Sequence, residues 1–287
     1  MAIDPEKLFG LQFPEIRHSY TWRDTVLYAL GTGYGIDPVD ERQLRFVDET
    51  KLKAVPTMAN VLAYPGFWMR DLDTGIDWVK VVHGEQAMRL HHPLPPEGEV
   101  VGRTRIVDLV DKGPGKGALV YAERVISDAA TGERLATLLQ TVFCRGDGGF
   151  GGKSEAPRAP HPVPEREPDL TIAMPTHPQM ALIYRLSGDL NPLHADPAIA
   201  RKAGYDRPIL HGLATYGVVG HGLMAVLCDY APERVEAMEG RFSAPVFPGE
   251  TISIDIWREG AGRATFRARV ASRNAVVLNN GLFEYAA

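Results

Sequence analysis

Hydrophobic and polar residues alternate along the C-terminal part of the chain, after one long apolar segment. Ile252, Ile254 and Ile256 recur at every second position, a period typical of a β-strand that buries one face. The apolar segment before them, residues 213–230, has helical spacing and predicts a helix. A helix followed by an antiparallel meander predicts an α+β fold in which a sheet wraps one helix. The three predicted strands are 251–259, 263–273 and 275–285.

The chain contains two related halves joined by a linker. Residues 146–169 are rich in glycine and proline, a composition typical of an extended connection that joins no core. Segments on either side of it match in the same order, for example 26–33 with 182–189, and each half is expected to end in three strands. This pattern predicts a diverged duplication with a first domain, a linker and a second domain at 1–145, 146–169 and 170–287.

The composition restricts the partners that we expect. The 287 residues are 45% hydrophobic and 23% charged, with a net charge of −5, as in an ordinary globular protein. This charge gives no reason to expect nucleic acid or an anionic membrane as a partner. The apolar run 212–227 is interrupted by glycines and is shorter than the ~20 residues of a membrane span. Cys144 and Cys228 lie in apolar runs and predict buried free thiols, which favours a cytoplasmic location.

Asp189 and His194 are the first candidates for chemistry. A carboxylate and an imidazole lie five residues apart, with Pro192 in a turn between them, so both side chains can point into one cleft. The plain alternative is structural, because Asp is a common turn and capping residue. In the first half, however, Gly33 and Pro38 occupy the equivalent positions. Since that copy is expected to fold without the pair, we interpret Asp189 and His194 as functional.

Gly212 comes just before the predicted helix, where unpaired backbone N–H groups and the helix dipole suit a developing oxyanion. A flexible residue before a helix is the plain alternative. His211 is expected to pack or hydrogen-bond beside this glycine rather than to catalyse. His194 and Asp196 offer half of a metal site, but no further ligands follow at a useful spacing, so we predict no metal.

These residues belong to a longer pattern that resembles a known family. The chain is similar to the (R)-specific enoyl-CoA hydratases, also called hydratase 2 or MaoC-like dehydratases, in three neighbouring segments: Tyr184-Arg-Leu-Ser-Gly-Asp-Leu-Asn-Pro-Leu-His194, Asp196-Pro197 and Pro208-Ile-Leu-His-Gly-Leu213. The resemblance implies a double hot-dog fold, in which two antiparallel sheets each wrap a central helix. It also implies reversible hydration of trans-2-enoyl-CoA to (3R)-3-hydroxyacyl-CoA, with the acyl-CoA as substrate and no cofactor.

The resemblance also implies a role for each site residue. Asp189 and His194 hold the reacting water, and Asn191 orients the pair or the water. The Gly212 N–H stabilises the thioester oxygen as it gains negative charge. Contacts with the acyl-CoA, including a phosphate contact from the lysine, are expected from His83, Gly84, Lys112, His211 and Phe242.

The centre of the first half differs from that of the second. The segment 58–68 contains Pro65-Gly66, which is expected to stop a helix after about two turns and to leave space inside the sheet. We predict that this space binds a medium, long or bulky acyl tail, with ordinary core packing as the open alternative. The expected lining is apolar and consists of Met58, Leu62, Phe67, Trp68 and Met69.

Two other functions and the assembly stay open at this point. An acyl-CoA thioesterase of the same fold commonly uses an acidic residue on the central helix, and residues 213–227 contain none. A non-catalytic acyl-CoA-binding protein is expected to lack Asp189 or His194, and both are present. The two halves are expected to pair as two one-domain subunits would, and a homodimer of the whole chain is a further expectation.

Overall fold

The computed structural model describes residues 3–287 and arranges them around one continuous antiparallel sheet of ten strands. The strands are β1 (Ile16–Tyr20), β2 (Val81–Leu90), β3 (Gly98–Asp111), β4 (Ala118–Asp128), β5 (Arg134–Cys144), β6 (Leu170–Pro175), β7 (Val235–Phe242), β8 (Thr251–Arg258), β9 (Arg263–Val270) and β10 (Ala275–Tyr285).

The order of the strands confirms the predicted duplication. The first half contributes β1-β3-β4-β5-β2, and the second half continues as β7-β10-β9-β8-β6. Each strand of the first half therefore has a counterpart five strands later in the chain, and the two sets run in mirrored order. The halves meet where β2 pairs with β7, from Glu85 opposite Arg241 to Arg89 opposite Ala237. Residues 146–169 form no helix or strand. The expectation that they join no core is wrong at their start, because Asp147 is buried and Phe150 packs against a hydrophobic core of the first half. The predicted domain boundaries stay predictions.

Within residues 3–287, seven α-helices accompany the sheet, and only two of these exceed six residues. They are α1 (Pro5–Phe9), α2 (Trp22–Gly31), α3 (Glu41–Leu44), α4 (Trp68–Asp71), α5 (Met180–Tyr184), α6 (Pro197–Lys202) and α7 (Gly212–Cys228). Short 3₁₀ helices cover Glu49–Lys51, Pro56–Asn60, Trp78–Lys80, Arg185–Ser187, Pro192–His194, Pro232–Arg234 and Ala271–Arg273. None of the helices in residues 3–287 is long and apolar enough to cross a membrane.

The second half has the helix that the sequence predicts. α7 is buried along most of its length and packs in one hydrophobic core with Ile252, Ile254 and Ile256 of β8. Gly222 faces this strand so closely that a Cβ atom there would lie 2.8 Å from Ile254, which explains a glycine within the helix. The three strands predicted at the end of this half are confirmed, except that β9 ends at Val270 because a 3₁₀ turn follows. The α+β double hot-dog fold is thus confirmed, with the two predicted sheets joined edge to edge into one.

The first half has a much shorter element at the equivalent place. A 3₁₀ helix, Pro56–Asn60, is followed by a turn, and the chain becomes helical again only at α4. The prediction of a short element is confirmed, but the expected two α-helical turns are wrong. Pro56 begins the 3₁₀ helix, Ala63 has φ = 46°, and Pro65-Gly66 follow, so the backbone cannot continue as an α-helix.

Candidate active site

Asp189 stands at the start of a loop that a glycine makes possible. The 3₁₀ turn Arg185–Ser187 ends at Gly188, whose φ of 117° is a left-handed conformation that side chains disfavour. The carboxylate of Asp189 then accepts a hydrogen bond from the Asn191 N–H at 3.1 Å. Asp189 is exposed. The loop therefore presents a carboxylate at the surface of a cleft, with its backbone held by a local hydrogen bond.

His194 lies at the other end of this loop and points inwards. It ends the 3₁₀ turn Pro192–His194 and is only 8% exposed to solvent. Nδ1 lies 2.9 Å from the carbonyl oxygen of Ile209, so the Nδ1–H donates to that oxygen and Nε2 carries the lone pair. Burial lowers the pKa of His194 below 6.5, with the Ile209 carbonyl and Asp189 opposing the effect. His194 is therefore a neutral base at neutral pH.

His211 joins these two residues from the start of α7. Its ring stacks on that of His194, and its Nε2–H donates to the backbone oxygen of Asp189 at 3.1 Å. Burial lowers the pKa of His211 to about 4, so this ring is neutral as well. The prediction that His211 packs and hydrogen-bonds beside the site is confirmed.

The three side chains form one compact cluster. An oxygen of Asp189 and a ring nitrogen from each of His194 and His211 all lie within 4.8 Å of one another. Sequence spacing could place Asp189 near His194, but only the fold brings His211 against both. A carboxylate and a neutral imidazole at this separation can hold one water molecule and exchange a proton with it.

Gly212 is the first residue of α7, and its surroundings include two of the predicted binding residues. A Cβ atom at this position would lie 3.4 Å from the ring of Phe242, at the end of β7. The His83 ring lies 4.7 Å from the Phe242 ring between centroids. The N–H groups of a helix's first turn have no partner within the helix, so the Gly212 N–H is available to an oxyanion. The structure thus brings Gly212, Phe242 and His83 together.

Gly84 shapes the strand that carries His83. In the pairing of β2 with β5, His83 stands opposite Val142 and Glu85 opposite Thr141, so Gly84 is the extra residue of a β-bulge. A Cβ atom at Gly84 would lie 3.2 Å from the carbonyl oxygen of Thr141, closer than most such contacts. Burial lowers the pKa of His83 to about 4, against hydrogen bonds to the Glu85 carbonyl and the Gln86 side chain. His83 is therefore a neutral group beside the site.

Asn191 supports the backbone turn beside the cluster, whereas Lys112 lies in an exposed hairpin. The side-chain oxygen of Asn191 accepts the Leu193 N–H at 3.0 Å and so caps the turn that carries His194. Lys112 is exposed in the hairpin between β3 and β4, where its backbone N–H donates to Gly117. The orienting role of Asn191 and the phosphate contact of Lys112 stay predictions.

Two cavities of the first half border the site. The larger has a volume of about 390 Å³ and runs from Met58 and the turn that follows the 3₁₀ helix to Gly188, next to Asp189. Met58 and Leu62 line it, and Trp68 lines the smaller cavity. Met69 instead packs in a separate hydrophobic core, and Phe67 packs against that core. Space for a tail is therefore present, but its lining is not the apolar set that the sequence predicts.

Sequence reasoning missed Tyr64, which lines both cavities. Its position directly before Pro65-Gly66 was the available signal, since an aromatic residue at a helix break faces the space that the break opens. Burial is the main cause of the raised pKa of Tyr64, and the negative charge of Asp189 adds to it. This residue therefore lies between the predicted tail space and the candidate pair.

The cluster also has the donor types of a cation site. Two imidazoles and one carboxylate are a set that transition metals bind. The predicted half-site paired His194 with Asp196, whereas the structure places His194 beside Asp189 and His211. Asp196 is occupied elsewhere, because its carboxylate accepts the Ala198 and Ile199 N–H groups and caps α6. The absence of a metal stays a prediction.

Comparisons with known proteins give a consistent result over both halves. The MaoC like domain matches residues 159–280, and the MFE-2 hydratase 2 N-terminal domain matches residues 18–146. The chain is similar to 3-hydroxyacyl-thioester dehydratase Y of Mycobacterium tuberculosis, with 43% identity over all of both chains. It is 36% identical to peroxisomal enoyl-CoA hydratase 2 of Arabidopsis thaliana, over 94% of this chain and 92% of the relative.

A solved structure supports the same relationship. The crystal structure of a MaoC-like dehydratase from Phytophthora capsici superposes with a TM-score of 0.88 and 34% identity, over 99% of each chain.

Proposed function

The chain belongs to the MaoC-like dehydratase family, and from this premise we propose that it catalyses the reversible hydration of trans-2-enoyl-CoA to (3R)-3-hydroxyacyl-CoA. It is an enzyme of the hydratase and dehydratase class, a carbon–oxygen lyase. The acyl-CoA is the substrate, and we expect no cofactor.

One observation carries the proposal. Asp189 and His194 present a carboxylate oxygen and a ring nitrogen within 4.8 Å of each other, and the Nδ1–H bond to Ile209 leaves Nε2 of His194 as the free base. A water molecule held by both groups loses a proton to Nε2 while its oxygen bonds to C3 of the substrate. The electron pair of the C2–C3 double bond moves towards the thioester carbonyl. The protonated pair then returns one proton to C2, so the site ends the cycle as it began.

The Gly212 N–H acts on the oxygen that gains charge. It lies at the N-terminus of α7, where the helix dipole favours an anion. A single oxyanion donor contributes about 3 kcal/mol of transition-state stabilisation in other enzymes. The Phe242 ring lies on the side of Gly212 that a Cβ atom would occupy, and the His83 ring packs against Phe242, so we assign both rings to the walls around the thioester.

We assign the acyl tail to the first half. The short 3₁₀ helix Pro56–Asn60 leaves the cavities that α7 closes in the second half, and both border the site. The phosphate contact of Lys112 belongs to the same proposal.

A cytoplasmic location is supported by Cys144 and Cys228, which are both free and buried, as in proteins of a reducing compartment. A homodimer of the chain is our proposal for its assembly and is tested by light scattering.

The decisive experiment replaces the pair and follows the hydration of crotonyl-CoA. Asp189→Asn and His194→Ala are each expected to lower kcat by about 10²–10⁴-fold, the usual contribution of a placed acid or base. Asp196→Asn is the matched control, because Asn also caps a helix and Asp196 lies outside the cluster. Unchanged hydration in both variants of the pair would show that the assignment is wrong.

Two further measurements separate the other two functions. Steady release of CoA from a saturated acyl-CoA, followed with a thiol reagent, would indicate a thioesterase. Binding of enoyl-CoA without turnover would indicate a binding protein. The configuration at C3 is determined by oxidising the product with dehydrogenases specific for the (3R) or the (3S) alcohol, and only the (3R) enzyme is expected to react.

A further inference from the structure

Arg124 is a buried cation without an anionic partner. It lies on β4 and is 8% exposed. Its Nη2 donates to the backbone oxygen of Asn60 at 2.6 Å, whereas Nε and Nη1 have no hydrogen-bond partner among residues 3–287. Burial lowers the pKa of Arg124 to about 10, so the guanidinium is still charged at neutral pH. A buried charge of this kind is costly unless it is paired.

Arg124 lines the smaller cavity of the first half. One part of the wall is apolar and includes Trp68 and Leu213. The other part carries the amides of Asn60, Gln86 and Gln140, and the side-chain oxygen of Asn60 is buried without a partner. A cavity that held only a hydrocarbon chain would leave Nε and Nη1 of Arg124 and the side-chain oxygen of Asn60 without partners among residues 3–287.

This cavity opens beside the candidate active site. Leu213 lines it and directly follows Gly212. On the opposite side, Gln86 lines it and forms a hydrogen bond with His83 at 3.1 Å. Tyr64, which also borders the cleft near Asp189, places its ring 5.3 Å from the Arg124 guanidinium. An acyl chain whose thioester oxygen lies at Gly212 therefore has Arg124 within the space next to it.

We propose that the preferred substrates are trans-2-enoyl-CoA thioesters whose acyl chain carries a carboxylate, and that Arg124 is the residue that selects them. A carboxylate supplies both the charge and the acceptor oxygens that the guanidinium lacks. Trp68 and Leu213 contact the methylene groups between the two ends of the acyl chain. This inference rests on the proposed function and specifies its substrate class.

The test compares three substrate series over a range of chain lengths: unsubstituted trans-2-enoyl-CoAs, the same compounds with a terminal carboxylate, and the methyl esters of those carboxylates. At the chain length that reaches Arg124, the carboxylate is expected to have a kcat/KM about 10–100-fold above the methyl ester, the range of hydrogen bonds to charged groups. Arg124→Met and Arg124→Gln are expected to abolish this ratio. The control is Arg105→Met, an exposed arginine on the neighbouring strand that pairs with Glu123 and is expected to keep the ratio.

Equal kcat/KM values for carboxylate and methyl ester at every length would overturn the inference, and so would a ratio that survives in both Arg124 variants. Turnover of the unsubstituted series alone would overturn the inference about Arg124 and leave the proposed function intact. If no enoyl-CoA is hydrated, the proposed function fails, and calorimetry with saturated carboxyacyl-CoA and acyl-CoA still decides the role of Arg124. Tighter binding of the carboxylate in the wild type, lost in the variants, would support it, and equal binding would contradict it.

Discussion

His211 stacks on His194, with ring centroids 3.7 Å apart and an angle of 30° between the rings. The same His211 ring donates through Nε2–H to the backbone of Asp189, so one side chain touches both members of the candidate pair. It has no free donor for a substrate, and its Nδ1 is buried without a hydrogen-bond partner in the described part of the chain. We therefore describe His211 as a positioning residue that fixes the loop and the base relative to each other.

Replacing His211 with Phe tests this role. Phe keeps the stacked ring and removes the bond to the Asp189 backbone, so kcat for crotonyl-CoA is expected to fall about tenfold, the value of one hydrogen bond. KM is expected to change less than kcat, because the positioning role that we propose replaces the substrate contact that the resemblance implied for His211. Tyr184→Phe is the control, since it keeps the ring that packs 5.0 Å from His211. A change in KM with constant kcat would contradict the assignment.

The acid limb of the pH–rate profile reports the protonation of the catalytic base. His194 must be neutral to accept a proton, and burial lowers its pKa below 6.5. We therefore expect kcat/KM to stay constant as the pH falls to about 6.5 and to decrease only at more acidic values. The profile of the hydration of crotonyl-CoA measures this limb directly. A limb centred above the ordinary histidine value would be inconsistent with His194 as the proton acceptor.

Gly212→Ala tests the oxyanion site. The added methyl group would point at the Phe242 ring, 3.4 Å away, on the side that we assign to the thioester. We expect kcat/KM to fall by about 10²-fold, since displacement of a reacting group by about 1 Å costs this much. The midpoint of thermal unfolding is expected to stay constant or rise, because Ala favours a helix more than Gly does. Full activity in this variant would exclude a close approach of substrate to Gly212.

His221 makes stability depend on pH, far from the chemistry. It is buried against the Tyr34 ring, and burial lowers its pKa to about 4. The unfolded chain therefore binds a proton that the native state rejects, so the stabilisation is complete above about 6.5 and decreases as the pH falls towards 4. Between pH 6.5 and 5, this residue alone is expected to lower the free energy of unfolding by about 2 kcal/mol.

Urea unfolding at the two pH values measures this effect. His221→Gln is expected to lose less stability on acidification than the wild type, by about that amount. His92→Gln at an exposed position is the control and is expected to follow the wild type. An equal loss in His221→Gln and the wild type would show that the native state accepts this proton.

Removal of metal ions tests the prediction that none takes part. Asp189, His194 and His211 offer three donors within 4.8 Å, yet the proton transfers and the oxyanion contact that we propose use only protein groups and water. Dialysis against a chelator is therefore expected to leave kcat for crotonyl-CoA unchanged. Loss of activity that added Zn²⁺ or Fe²⁺ restores would replace the acid–base scheme with a metal-assisted one.

Local patterns in the sequence were sufficient for the elements and for part of the site. The period of two in Ile252, Ile254 and Ile256 and the helical spacing after Gly212 predicted β8 and α7, because such periods follow from backbone geometry alone. Asp189 and His194 are close in sequence across a short turn, so their proximity was also predictable. Pro65-Gly66 likewise predicted the short central element of the first half, although not its 3₁₀ form.

Tertiary structure alone decided which distant side chains meet. His211 lies 22 residues from Asp189, and their contact depends on where α7 starts against the loop. His83 reaches Phe242 because β2 and β7 join the two halves edge to edge. The missing partner of Arg124 is equally invisible in sequence, because whether a charge is paired depends on every element that packs around it. Periodicity is a local property of the chain, whereas contacts between elements depend on strand order, register and packing.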